Sequence, residues 1–193
     1  MKFIIQKVLE AKVESEGEVV GQIGKGYLIL VGLSVDDTDE YIDFVTDKFL
    51  NIRLFDDVQG NRWKESIKSL GLEILLVSQF TLFSVLKGNK PDFHLAMNNE
   101  KAKITFDKIV ETTNNKYDPN KVKTGKFGAY MKVSLVNDGP TTIEWEYPGK
   151  KAENIANNKK HNTDKGKNNI KEDTKEDIKD NSKKEEEEIN THK

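Results

Sequence analysis

The chain contains no cysteine, only three histidines and only four prolines among its 193 residues. Without cysteine there is no disulfide, no thiol nucleophile and no thiolate-bound zinc. Two of the histidines, His161 and His192, lie in a stretch devoid of aromatic residues, so His94 is the single imidazole of the remainder. A multi-histidine metal centre is thereby excluded there, and no metal or other cofactor is implied. Long apolar runs are missing too. None approaches the ~18 residues of a membrane span, and Met1-Lys2-Phe3-Ile4-Ile5-Gln6-Lys7 is too short an apolar run for a signal peptide. A soluble, cytoplasmic protein without membrane attachment is the expectation. Excess charge of one sign is absent as well, with 31 Lys+Arg against 33 Asp+Glu.

Hydrophobic residues make up only 35% of the chain, and the shortage is uneven. From Lys151 to Lys193 there are 11 Lys, 11 Asp+Glu and 8 Asn, with four Ile and two Ala. Such a segment buries too little apolar surface to offset the entropy lost on ordering. Residues 149–193 are therefore expected to form a disordered, low-complexity tail. Residues 1–148 hold both Trp, all nine Phe and all five Tyr, enough for one domain with a sizeable core.

Within this body, Phe3–Val8, Ala11–Glu14 and Val19–Ile23 are β-prone, with a turn at Glu16-Gly17-Glu18. Tyr27–Leu33 and Leu72–Val77 are apolar enough to be central strands. Gly24 and Gly26 precede a strand rather than a helix and complete neither phosphate-loop spacing, so they read as a plain turn. Asp36-Asp37-Thr38 supplies N-cap candidates for a helix whose buried face is Ile42, Val45, Phe49 and Ile52. Arg53-Leu54-Phe55 reads as a short strand. Asn98 or Asn99 can cap a second helix with Ala102, Phe106, Ile109 and Val110 inward. Strands return over Phe127–Asn137 and Thr141–Tyr147, separated by a turn at Asp138-Gly139-Pro140. This order indicates an α+β fold: a β-rich single domain, with curved, barrel-like sheets and two main helices.

Three segments carry groups suited to chemistry. Ser78-Gln79-Phe80-Thr81 places small polar side chains at the end of a buried strand. It reads either as a strand leaving the core or as a hydrolytic site, although a Ser or Thr nucleophile needs a base and the body offers only His94. Lys87-Gly88-Asn89-Lys90-Pro91-Asp92-Phe93-His94 reads either as a solvated loop or as a phosphate-binding and base-stacking segment. Asn137-Asp138-Gly139-Pro140, by composition alone, is a turn between strands.

Taken together, these segments resemble the D-aminoacyl-tRNA deacylases of bacteria and most eukaryotes. The resemblance rests on MKFIIQKVLEAKV, GEVVGQIGKGYLILVGLSVDDT, VSQFTLF at Val77–Phe83, LKGNKPDFHLAM at Leu86–Met97 and KFGAYMKVSLVNDGPTTIE at Lys126–Glu144, in this order. It implies hydrolysis of the ester joining a D-amino acid, or glycine, to the terminal adenosine of tRNA. It also implies a homodimer in which Gly139-Pro140, joined by a cis bond, enters the partner's pocket and excludes L-amino acids. Ser78, Gln79, Phe80 and Thr81 would surround the scissile ester. The backbone N–H groups near Phe80 would stabilise an oxyanion, and either Thr81 or the substrate's 2′-hydroxyl would assist. Phe127, Gly128, Ala129 and Met131 would lie near the adenosine. Lys87 and Lys90 are assigned to tRNA phosphates from their charge. The competing expectation is a nucleic-acid or chromatin-associated binding protein that uses the lysine loop and the tail.

Overall fold

Side-chain alternation along three central strands divides the interior of this protein into two cores. The computed structural model describes residues 1–148; the expected disordered tail lies outside them. Strand β1 (Lys2–Ser15) is followed by β2 (Glu18–Ile23), β3 (Gly26–Gly32) and β4 (Glu73–Ser78). Phe3 and Ile5 of β1, Tyr27, Ile29 and Val31 of β3, and Ile74 and Leu76 of β4 face one core. Val8, Ala11 and Val13, with Leu28, Leu75 and Val77, face the other. Successive strand residues point to opposite faces, so four buried residues in a row on each of β3 (Gly26–Ile29) and β4 (Ile74–Val77) serve both cores at once. The gap between the two β-prone stretches of β1 is a bulge: its register against the last strand shifts around Val8 and Glu10. One extra residue there moves the inward phase from even to odd positions without ending the strand.

The sheet runs β2-β1-β3-β4, continues to a short strand beyond β4, and carries a further long strand on β1. Pairing is antiparallel among β1, β2 and β3, and parallel between β3 and β4. The sheet then curls until its two ends meet. A Cβ built on Gly21 of β2 would lie 2.3 Å from the carbonyl oxygen of Thr124, at the far end. The smaller core is enclosed within this nearly closed, barrel-like sheet. The larger is covered by helices.

Helix α1 (Ile42–Asn51) buries Ile42, Val45, Phe49 and Leu50, close to the expected face. Asp37 does not cap it. Its carboxylate is buried, where it pairs with the Met1 ammonium and accepts the Ser34 N–H at 2.7 Å. A short helix, α2 (Ile67–Leu70), is held by reciprocal Ser66–Ser69 hydrogen bonds and ends at Gly71. Two short strands, β5 (Val85–Lys87) and β6 (Lys90–Asp92), form a hairpin within the segment expected as a loop. Helix α3 (Asn99–Lys116) has Asn98 as its N-cap, accepting the Lys101 N–H at 2.9 Å. Strand β7 (Val122–Thr124) pairs with β4, and β8 (Lys132–Glu146) pairs along nearly all of β1.

Three local expectations are corrected by this structure. Arg53-Leu54-Phe55 forms no strand, only a single bridge from Phe55 to Glu65, because no neighbour continues the ladder. Strand β4 ends at Ser78, where the polar segment begins, and Phe80–Phe83 closes into a 3₁₀ turn; the strand expected over Phe127–Asn137 begins only at Lys132, because Phe127–Met131 form a turn and link instead. Asp138-Gly139-Pro140 is not a turn between separate strands. Residues 132–146 are one strand because both flanks pair with β1, Asn137 with Val8 and Thr141 with Lys7. The three intervening residues bulge out.

Candidate active site

The chain change at the end of β4 opens a cavity of about 500 Å³. Ser78, Gln79 and Phe80 form one wall; Phe127, Gly128, Ala129 and Met131, in the link from β7 to β8, form another. Four expected site residues from each of two distant stretches thus converge, except that Thr81 stands beside the cavity rather than in its lining. The wall is rigid for identifiable reasons. Gln79 N–H donates to Val31 O at 2.8 Å, continuing the β3–β4 pairing past the end of β4. Ala129 N–H closes a turn on Lys126 O at 3.2 Å, with Gly128 at φ 72° in the left-handed region. Met131 packs against the smaller core.

The lining has no Asp, Glu, His, Lys, Arg or Cys. Two polar side chains reach each other next to it: the Gln79 side-chain amide donates to the Thr81 hydroxyl oxygen. That contact uses the oxygen as an acceptor; it supplies no base to remove the hydroxyl proton. His94 is engaged elsewhere, with its Nδ1 on the Asp92 carboxylate. Phe80 begins the 3₁₀ turn, whose own hydrogen bonds leave the first N–H unused, and no backbone acceptor takes it among the described residues. An unspent N–H at a cavity wall can stabilise a developing oxyanion. Among the described residues there is also no cluster of three acidic, histidine or cysteine side chains able to hold a metal ion.

The expected lysines do not line the cavity. Lys87 Nζ is bound to Asp92 Oδ2 at 2.7 Å across the β5–β6 hairpin. Together with His94, this ammonium holds the Asp92 carboxyl well below the usual carboxylate range. Lys90 has no ion pair among the described residues. Charge therefore leaves Lys90 as the freer cation for a phosphate. Gly139 and Pro140 also lie away from the cavity of their own chain. Their peptide bond is cis, both residues are exposed, and Gly139 has φ 122°. Flanking contacts pin the bulge: Lys7 Nζ lies 3.3 Å from Asp138 Oδ2, and the Asn137 side-chain amide donates to Lys7 O.

The structure adds lining residues that motif reading passed over. Phe93 packs edge-to-face on Phe80, with ring centroids 4.9 Å apart. Asn99 and Ala102 bring the first turn of α3 to the cavity, and Tyr130 completes the wall between Ala129 and Met131. Phe93 and Tyr130 are within the LKGNKPDFHLAM and KFGAYM stretches, but only the folded arrangement distinguishes cavity residues from their neighbours.

The model of the D-Tyr-tRNA(Tyr) deacylase family matches residues 4–146, and the chain belongs to this family. Human D-aminoacyl-tRNA deacylase 1 is 47% identical over 148 residues, spanning 77% of this chain and 71% of the human protein. A solved structure described as c-Myc DNA Unwinding Element Binding Protein is 47% identical with a TM-score of 0.74, covering 77% of this chain and all of that one (100%). A second, of a probable eukaryotic D-amino acid tRNA deacylase, shares the fold at TM-score 0.64 with 16% identity, over 75% of this chain and 97% of that one.

Proposed function

We propose that this protein hydrolyses the ester of D-aminoacyl-tRNA, releasing the D-amino acid and reusable tRNA, and acts likewise on glycyl-tRNA. Family membership supports the reaction class, and one observation supports its mechanism: a cavity of ligand size whose walls offer an unspent backbone N–H but no carboxylate, imidazole, amine or thiol. Water adds to the ester carbonyl carbon, and the charge that gathers on the carbonyl oxygen meets the Phe80 N–H. The ester C–O bond then breaks, and the departing ribose oxygen takes a proton. The adjacent 2′-hydroxyl of the terminal adenosine is the group placed to assist, since the protein supplies none. The protein works in the cytoplasm as a homodimer, and the exposed bulge at Gly139-Pro140 of one subunit enters the cavity of the other. There its carbonyls receive the α-amino group of a D-amino acid and leave no room for an L side chain. Exposed Val136 on β8, with Leu9 on β1, supports burial of this outer face in a dimer. Among the described residues, no helix is long and apolar enough to cross a membrane.

Incubation with D- and L-tyrosyl-tRNA tests this reading. Deacylation of the D ester alone is expected; equal rates, or none, overturn it. Thr81→Ala tests the mechanism. Because the hydroxyl has no base, turnover is expected to stay within about tenfold of wild type, whereas a hydroxyl nucleophile would lose on the order of 10³ or more.

The relative described as a DNA unwinding element binding protein favours a second reading, binding of DNA. In that case affinity falls steeply with salt and drops when residues 149–193 are removed. Deacylation that survives the truncation while DNA binding is undetectable would dispose of this reading.

A further inference from the structure

Tyr130 is built into a rigid wall, yet its side chain takes no part in the packing. Its carbonyl accepts the hydroxyl of Ser15 at 3.0 Å, and Ser15 is only 4% exposed. On one side of it lies the Lys126–Ala129 turn, tied further by Lys126 Nζ to Glu16 Oε2 at 2.7 Å. On the other side, Met131 is anchored on the smaller core. Between these anchors Tyr130 lines the cavity while remaining 84% exposed, so it stands at the rim. Among the described residues its carbonyl is the one hydrogen-bonded group of the residue, and no other ring stacks on it. A large aromatic ring left in water on a fixed backbone contributes nothing to folding. Its backbone is fixed at the rim, and the uncovered faces of its ring are free to receive a flat ligand.

The nature of that ligand follows from the reading of the cavity as the site for aminoacylated adenosine, on which this inference rests. A cavity of about 500 Å³ takes one small-molecule-sized group, such as a nucleoside with its amino acid. The preceding nucleotide of a single-stranded 3′ end must then leave over the rim. Exposed bases of single strands are held by stacking on aromatic side chains. Lys132, exposed and without an ion pair among the described residues, is two positions further along and adds a cation suited to the accompanying phosphate. We propose that Tyr130 is a stacking platform for the nucleotide immediately preceding the terminal adenosine of the substrate tRNA.

The test compares two substrates on the full chain: D-tyrosyl-tRNA, and D-tyrosyl-adenosine, which lacks the preceding nucleotide. Tyr130→Ala is expected to raise KM for the tRNA substrate roughly tenfold to a hundredfold with kcat little changed, as loss of one base stack requires. Tyr130→Phe and Tyr130→Trp keep a ring and should remain within about threefold of wild type. Because Tyr130 also lines the cavity, each variant is read by its loss on the tRNA substrate relative to its loss on D-tyrosyl-adenosine, and for Tyr130→Ala the first should exceed the second roughly tenfold or more. Equal losses on both substrates, or no loss on the tRNA substrate, overturn the proposal. So does a Tyr130→Ala chain that sediments as a monomer where wild type is a dimer, since the ring would then be a subunit contact. A wild-type chain inactive on both substrates overturns the deacylase reading itself, an outcome distinct from failure of the stacking proposal alone.

Discussion

Gly139→Ala is expected to lower the preference for D- over L-tyrosyl-tRNA about a hundredfold while leaving the fold intact. At φ 122° an L side chain is strained, and the added Cβ would lie 2.7 Å from Thr141 Oγ1 and 3.1 Å from Thr141 N. The bulge must shift to relieve this. Because Gly139 is exposed and belongs to neither core, the shift disturbs little else. A displacement of about 1 Å at a group that positions substrate is worth on the order of 10² in rate. The loss should appear as admission of the L ester. Mixing then tests whether the bulge serves the other subunit. A chain with Ala129→Trp keeps its bulge but has its own cavity filled. Excess of it over Gly139→Ala chains should restore D selectivity, because heterodimers pair an open cavity with an intact bulge. If selectivity is not restored although heterodimers form, each bulge serves its own cavity and the cross-subunit reading fails. An unchanged D/L ratio in Gly139→Ala at wild-type stability would remove the bulge from discrimination altogether.

Gly26→Ala should have the largest effect on stability, at least ~3 kcal/mol, enough to lower Tm by about 10 °C or prevent folding. A Cβ at this position would lie 1.8 Å from the Glu73 carbonyl oxygen and 2.7 Å from the carbonyl carbon. Gly26 is buried and pairs with Glu73 at the first rung of the parallel β3–β4 ladder. Neither backbone can withdraw without breaking that ladder, which separates the two cores. Gly17→Ala is the control. At φ 86° it too is strained, but nothing lies within 4 Å of its Cβ and it sits in an exposed turn, so a loss near ~1 kcal/mol is expected. Thermal unfolding of the two variants side by side checks the contrast. A Gly26→Ala midpoint within 3 °C of wild type, as an order-of-magnitude limit, would mean that the strands separate more easily than their register implies.

Much of the scaffold was legible because it depends on local pattern. Ile42, Val45 and Phe49 recur at helical spacing, and α1 buries all three. Asn98 offers a short acceptor before Ala102, Phe106 and Ile109, and it caps α3. The misread segments depend on a distant partner. Arg53-Leu54-Phe55 has strand composition but no neighbour to pair with beyond one bridge. Asp138-Gly139-Pro140 has turn composition, yet the strand resumes because β1 is long enough to pair with both flanks. Lys87 reads as a free cation until Asp92 is found across the hairpin.

The absences noted at the outset carried more than the motifs did. With no cysteine and one histidine in residues 1–148, the residue inventory alone ruled out thiol and multi-histidine chemistry, since a missing side chain cannot be supplied by any fold. Order and spacing of the matching stretches likewise determined the family. Only the tertiary structure decided that Ser78–Phe80 and Phe127–Met131, nearly fifty positions apart, share one cavity without a carboxylate, imidazole, amine or thiol. It also decided that the Phe80 N–H is unspent and that Gly139-Pro140 stands outside that cavity. The physical reason is that hydrogen-bond accounting and close approach are properties of neighbours in space. The curl of the sheet, rather than the order of residues, chooses those neighbours.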